Sequence, residues 1–168
     1  MAKIIWLTGL SGAGKTTLSK EIKKTVKKRK ILILDGDRFR KKTGQFSFSK
    51  KNILKNNLQI IDHCKKNYFK YDIILVSVIS PLKKTRHLAF NIFKENYFEV
   101  YIHAKIKSLV TRDTKGLYNL AKKGLIKNLI GFKSKISYEK SNHKYIKINT
   151  DLLKIKKSVI KILKYSKI

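Results

Sequence analysis

The feature that most constrains the fold of this chain is a glycine-rich stretch at residues 9–16, which reads GLSGAGKT. It matches the pattern G-x-x-x-x-G-K-[ST] at every required position. An apolar run of strand type precedes it, and Leu18, Ile22 and Val26 follow it at helical spacing. The sequence therefore predicts a strand, a phosphate-binding loop and a helix in this order.

The composition of the loop suits a nucleoside triphosphate. Its glycines let the backbone approach a ligand closely, and the start of the next helix adds partial positive charge. Lys15 can reach the β- and γ-phosphates, and the Thr16 hydroxyl can ligate the accompanying Mg²⁺. Thr17 is expected to pack in the helix or to contact phosphate. We thus expect ATP and Mg²⁺ to bind at Gly9, Leu10, Ser11, Gly12, Ala13, Gly14, Lys15, Thr16 and Thr17.

Length and charge narrow the class of protein. The 168 residues, 42% of them apolar, are enough for one core, and no apolar run approaches the roughly 20 residues that span a bilayer. With no room for a signal peptide before the first strand, we expect a cytoplasmic protein without a membrane partner.

The net charge of +31 raises the question whether the protein binds nucleic acid, but lysine is spread over nearly every segment and does not form one patch. We expect attraction for anionic substrates and no nucleic acid partner.

Apolar runs alternate with stretches of helical periodicity along the rest of the chain. Helices are predicted over residues 52–67 and 84–94, and the first of these contains Cys64, which we expect to pack in the core. Further strands are predicted at residues 31–34, 72–79, 98–103 and 145–148. This order predicts an α/β fold: a single doubly wound P-loop domain over residues 1–168, with a mainly parallel sheet of about five strands and helices on both faces.

An amphipathic helix is predicted to close the domain. Its apolar positions are Leu152, Ile155, Val159 and Ile162. Its cap is predicted at Asn149, Thr150 or Asp151.

Two of only ten acidic residues follow the second predicted strand, at Asp35 and Asp37. Ligands of open α/β sheets bind at the carboxyl ends of the strands, so both side chains should face the crevice of the phosphate loop. An acidic pair near phosphate fits Mg²⁺ coordination or proton abstraction from a hydroxyl. The alternative is a turn that caps the next helix.

Residues 112–132 form a basic, glycine-interrupted segment with poor periodicity. Such a segment over the crevice predicts a lid that closes on substrate, and a surface helix with loops is the alternative. The sole proline, Pro81, follows the third predicted strand and should turn the chain into the crevice.

Together these motifs resemble the adenylylsulfate kinases, P-loop enzymes that transfer the ATP γ-phosphate to the ribose 3′-hydroxyl of adenylylsulfate. The phosphate loop alone would be weak support, because many kinases have it. More specific is the combination of LDGD at residues 34–37, ISP at residues 79–81 and RDTKGLY at residues 112–118. Shorter matches extend the resemblance over nearly the whole chain, at Arg40, Phe48, Ser49, Asn56, Arg86, residues 126–128, Gly131, Tyr138 and Glu139.

The resemblance implies roles for the catalytic residues. Asp37 would contact and deprotonate the attacking hydroxyl, Asp35 would bind Mg²⁺ or position the substrate, and Lys15 would hold the phosphates. Ser80 matches a serine to which the family assigns a phosphoserine intermediate. Because in-line transfer to a positioned hydroxyl needs no covalent step, substrate binding is the other reading of Ser80.

The resemblance also implies an acceptor site and a homodimer. Arg40 and Asn56 would hold the phosphate end of the acceptor nucleotide, and Phe48 would stack on its base. Lys115 and Lys127 of the lid would neutralise charge on the transferred phosphoryl group. The other residues expected to contact substrate are Ile79, Ser80, Gly116, Leu117 and Leu129.

Two positions on the acceptor side depart from the family pattern. Ile53 stands where the family has an arginine, and Leu129 stands where it has an aromatic that sandwiches the acceptor base. Adenylylsulfate kinase, an enzyme of sulfate assimilation, is our first hypothesis. The second is a related nucleotide 3′-kinase with another acceptor, such as cytidine diphosphoramidate in capsule modification, and the third is a non-catalytic, nucleic-acid-binding P-loop protein.

Overall fold

Five parallel strands form the centre of the molecule in the order β2-β3-β1-β4-β5. The computed structural model describes residues 1–40, the backbone of residues 41–43, and residues 49–168. The strands are β1 (Lys3–Thr8), β2 (Ile31–Asp35), β3 (Ile73–Val78), β4 (Tyr97–His103) and β5 (Tyr145–Asn149). The predicted parallel sheet is confirmed, and each predicted strand lies within one or two residues of its observed position.

Helices connect the strands and cover both faces of the sheet. They are α1 (Lys15–Thr25), α2 (Gly36–Thr43), α3 (Lys50–Asn67), α4 (Lys83–Phe93), α5 (Ile106–Arg112), α6 (Leu117–Lys122) and α7 (Ile155–Tyr165), with one 3₁₀ turn at Lys94–Asn96. The sequence predicted no bounds for α2, α5 and α6, because helices of six to eight residues carry too few turns to show a period. Helices α2 and α6 agree with the alternatives considered for the acidic pair and for residues 112–132. None of the described helices is long and apolar enough to cross a membrane.

Side-chain alternation along β1 divides the core into two layers. Ile5 and Leu7 face the layer that contains α1 and α7, whereas Ile4 and Trp6 face the layer that contains α3 and α4. Successive strand residues point to opposite faces, so one apolar run supplies both layers. This confirms the doubly wound arrangement.

Cys64 lies fully buried in the second layer, and burial raises the pKa of its thiol. A thiol that resists ionisation is a poor nucleophile, so the predicted packing role of Cys64 is confirmed.

The predicted start of the closing helix was wrong. Helix α7 begins at Ile155 with Lys154 at its N-cap, and Leu152 is 80% exposed in the preceding turn. The Asp151 carboxylate does not cap this helix, because it accepts hydrogen bonds from the Lys105 backbone N–H at 2.7 Å and from the Arg112 guanidinium at 2.6 Å. Tertiary contacts therefore engage the Asp151 side chain, which the local sequence predicted as a cap of the closing helix.

Candidate active site

The phosphate loop lies between the end of β1 and the start of α1, pressed against β4. A Cβ atom added to Gly9, whose φ is +146°, would lie 2.1 Å from the carbonyl oxygen of Ile102. Gly14 is in the left-handed region, with φ of +100°, at the N-cap of α1. Only glycine fits these two positions without strain, so the motif glycines set both the path of the loop and its approach to β4.

Lys15 is buried at the centre of the loop. Its Nζ donates to the backbone carbonyl oxygens of Gly9, at 2.9 Å, and Leu10, at 2.7 Å. Burial, followed by repulsion from Lys115, lowers the pKa of Lys15 to about 7. An anionic phosphate beside this ammonium would favour its charged form.

Thr16 links the phosphate loop to the end of β2. Its hydroxyl donates to Asp35 Oδ2 at 2.6 Å, while Asp35 Oδ1 accepts the backbone N–H groups of Asp37, at 2.9 Å, and Arg38, at 3.2 Å. Asp35 thus caps α2, as the alternative expected, and also contacts Thr16 of the loop; its role toward Mg²⁺ stays a prediction. The hydroxyl and the carboxylate are hard oxygen donors that fit Mg²⁺, which usually keeps water and substrate oxygens as its other ligands.

Asp37 is paired with two cations, Arg40 on its own helix and Lys115 between α5 and α6. Burial, the largest single influence, raises the pKa of Asp37, but Arg40 and Lys115 together lower it below the ordinary value. The carboxylate therefore stays ionised at neutral pH. Both predicted acidic residues lie at the same edge of the sheet as the loop, because both follow the carboxyl end of β2.

Ser80 is fully buried just after β3. Its hydroxyl accepts from the Trp6 indole N–H at 3.3 Å and donates to Asn57 Oδ1 at 2.7 Å. Its proton is committed to Asn57, so the observed geometry favours a structural role for this hydroxyl. Its predicted roles in catalysis and substrate binding stay predictions.

The other predicted acceptor residues lie in different environments. Ile79 is buried, and Asn56 is buried with an Oδ1 atom that has no hydrogen-bond partner among the described residues. Phe48 lies outside the described residues. Arg40 contacts Asp37 of the acidic pair.

Ile53 and Leu129 both serve packing in this structure. Ile53 joins a small apolar cluster with Ile79, Leu82 and Ile130, and Leu129 is fully buried in the layer that contains α1 and α7. The two residues that depart from the family pattern therefore pack in apolar clusters, and Ile53 supplies no positive charge where the family has an arginine. The predicted contact of Leu129 with the acceptor stays a prediction.

The predicted lid runs from the end of α5 through α6. Gly116 is in the left-handed region at the N-cap of α6, Leu117 is half-buried, and Lys127 is exposed. The Tyr118 hydroxyl donates to the backbone carbonyl of Ser11 in the phosphate loop at 2.9 Å, and burial raises its pKa to about 12. The segment therefore contacts both the loop, through Tyr118, and Asp37, through Lys115.

The remaining loop residues differ in exposure. Thr17 is exposed, so its expected packing in the helix was wrong. Its contact with phosphate stays a prediction. Ser11 and Ala13 are buried, and Leu10, Gly12, Gly14 and Thr16 are half-buried.

Sequence reasoning missed two clusters near the site. In one, Arg112 pairs with Asp151 and donates to Thr150, whose hydroxyl in turn donates to the backbone carbonyl of Ala13 at 3.1 Å. In the other, Arg86 pairs with Glu99 inside the protein. An acidic residue inside the apolar run of residues 97–102 was the available signal for the second cluster, since such a residue is rarely buried without a partner.

Comparison with known proteins agrees with this geometry. The profile of one family, described as adenylylsulphate kinase, matches residues 1–149. A probable adenylyl-sulfate kinase of Pyrococcus abyssi is 41% identical over 133 residues, which cover 76% of this chain and 75% of that protein. An adenylyl-sulfate kinase of Thermodesulfovibrio yellowstonii is 34% identical over 171 residues, which cover 98% and 83%.

A solved structure is also similar over its full length. The APS kinase of Mycobacterium tuberculosis, in complex with AMPPNP and APS, superposes with a TM-score of 0.85 at 27% identity. The match covers 97% of this chain and 98% of that one.

Proposed function

The chain belongs to the adenylylsulphate kinase family, and we propose that it transfers the γ-phosphate of ATP to the ribose 3′-hydroxyl of adenylylsulfate. The observation that carries this proposal is the meeting of three elements at one edge of the sheet: the phosphate loop, the acidic pair after β2 and Lys115. Thr16 bonds Asp35, and Lys115 bonds Asp37. A nucleotide donor and a hydroxyl acceptor can be aligned between these groups.

On the ATP side, the loop amides and Lys15 would hold the phosphates. Thr16 and Asp35 would hold Mg²⁺, which when bound neutralises charge on the β- and γ-phosphate oxygens. Arg112 is held beside the loop by Asp151 and Thr150, and it would present a planar cation to the nucleotide.

On the acceptor side, Asp37 would accept the hydrogen bond of the 3′-hydroxyl and align it for in-line attack. Because Arg40 and Lys115 lower the pKa of Asp37, alignment is its main contribution. The hydroxyl proton would pass to the Asp37 carboxylate only as the new O–P bond forms and the bond between the γ-phosphorus and the ADP oxygen breaks. Lys115, exchanging its contact with Asp37 for one with the phosphoryl group, would neutralise charge in the transition state.

One observation favours a second acceptor as an alternative. Ile53 lies in an apolar cluster where the family has an arginine, so this position offers no pairing for a sulfate or phosphate. A nucleotide with a different end group, such as cytidine diphosphoramidate, is the corresponding alternative. We also propose a cytoplasmic homodimer, on the basis of the family and of the ATP requirement.

The test compares acceptors directly. Purified protein is incubated with ATP, Mg²⁺ and either adenylylsulfate or cytidine diphosphoramidate, and kcat/KM is measured for each. We expect the larger value for adenylylsulfate and, for Lys15→Ala, a loss of about 10³-fold. A larger value for the cytidine compound would transfer the proposal to the alternative acceptor. Phosphorylation of neither acceptor by the wild type would contradict the proposed function, and activity unchanged in Lys15→Ala would remove Lys15 from the chemistry.

A further inference from the structure

A buried ion pair lies beneath the acceptor side of the site. Arg86, on α4, and Glu99, on β4, have no appreciable exposure, and Arg86 Nε donates to Glu99 Oε1 at 3.1 Å. Burying two charges has a desolvation cost that apolar residues of similar volume would avoid. The pair therefore needs a reason beyond stability.

The Arg86 guanidinium joins two segments that are distant in sequence. One Nη atom donates to the backbone carbonyl of Ser80, in the turn after β3, and the other donates to the backbone carbonyl of Glu139. The guanidinium also lies over the Tyr138 ring, 4.8 Å from its centroid. A planar fork with fixed donor directions sets the spacing of the two carbonyl groups in a way that packing alone does not.

Glu99 fixes the same segment from the other side. Its carboxylate accepts from the Ser141 hydroxyl at 2.7 and 2.9 Å and contacts His143 Nε2 at 2.9 Å. We call residues 138–143 the anchor segment, since they follow the predicted lid and end just before β5. The ion pair thus holds this segment at both its beginning and its end.

The anchor segment also contacts segments that flank the two sides of the proposed site. The Glu139 backbone N–H donates to the Pro81 carbonyl at 2.9 Å, and its carboxylate accepts the Lys83 backbone N–H at 2.7 Å. The Tyr138 hydroxyl donates to Thr8 Oγ1 at 2.8 Å, one residue before the phosphate loop. The segment is therefore tied to the turn after β3 and to the end of β1.

We propose that Arg86, held by Glu99, is a positioning residue that fixes the anchor segment against residues 79–82, so that the lid closes on the acceptor in one register. This inference rests on the proposed function for its kinetic test. Arg86 touches no reacting atom, and its effect passes through the two carbonyl groups that it holds.

The main test removes both charges at similar volume, in the double variant Arg86→Met with Glu99→Gln. We expect a cooperative thermal transition, a KM for ATP within about twofold of wild type, and kcat/KM for the acceptor lowered about 30-fold or more, because misplacement of about 1 Å can lower a rate 10²-fold. Lys84→Gln, an exposed lysine on the same helix, is the matched control and should match wild type. An acceptor kcat/KM within about twofold of wild type, or equal losses for ATP and acceptor, would overturn the inference.

A second variant and a second readout keep the test decisive. If the double variant does not fold, Ser141→Ala, which removes one hydroxyl from the anchor segment, should lower acceptor kcat/KM several-fold by the same criterion. Hydrogen exchange should be faster at residues 129–143 in each folded variant and unchanged at residues 9–16, and unchanged exchange at residues 129–143 would overturn the inference. If the wild type phosphorylates neither acceptor, the proposed function fails, and the exchange result still decides the inference.

Discussion

The two sides of the proposed site are built in different ways. The ATP side consists of residues 9–17, contiguous in sequence, and its shape follows from glycine backbone angles and a helix start. The acceptor side is assembled from α2, α3, the turn after β3 and the predicted lid. The contrast teaches that a triphosphate site can be read from a short motif, whereas an acceptor site depends on how distant segments meet.

The variant with the largest expected effect tests Asp37, where the ATP side and the acceptor side of the proposed site meet. Asp37→Asn should lower kcat by about 10²-fold or more, because the amide keeps the shape but loses the charge that aligns the hydroxyl, while the KM for ATP stays nearly unchanged. Steady-state kinetics with each substrate varied provide the measurement. Asp62→Asn, an exposed carboxylate on α3, is the control, and turnover close to wild type in Asp37→Asn would remove this residue from the chemistry.

A smaller effect is expected for the pH dependence of ATP binding, which tests the ATP side alone. Phosphate should raise the pKa of Lys15 from about 7, so above pH 7 ATP binds with uptake of a proton, and affinity falls by up to about tenfold per pH unit as pH rises. Calorimetry at pH 8 in buffers of different ionisation enthalpy measures this uptake. Lys20→Gln, on the exposed face of α1, should retain it, and binding without proton uptake in the wild type would contradict the prediction.

The smallest effect is expected for a substitution of Ser80, which tests the acceptor side. Ser80→Ala should lower kcat only a few-fold, since the hydroxyl serves Trp6 and Asn57 and in-line transfer needs no covalent step. Kinetics and intact-protein mass spectrometry after incubation with ATP are the measurements. A loss of about 10³-fold, with a phosphorylated Ser80 in the wild type, would instead support the covalent intermediate.

Much of the fold was predictable because its signals are local. Apolar runs identified all five strands, and the parallel order followed from their alternation with helices. The bounds of the short helices α2, α5 and α6 were not predicted, and the start of α7 was misplaced because Asp151 bonds α5 across the fold. Whether a side chain caps a helix depends on which hydrogen-bond partners compete for it, and the tertiary structure determines which partners are within reach.

The sequence by itself determined the phosphate loop, the position of the acidic pair and the family, because each depends on residues at short fixed spacing. Only the tertiary structure decided that Lys115 meets Asp37, that Ile53 completes an apolar cluster and that Arg86 bonds Glu139. The physical reason is that these contacts join residues separated by tens of positions. Their formation depends on the packing of whole helices against the sheet, which no local pattern encodes.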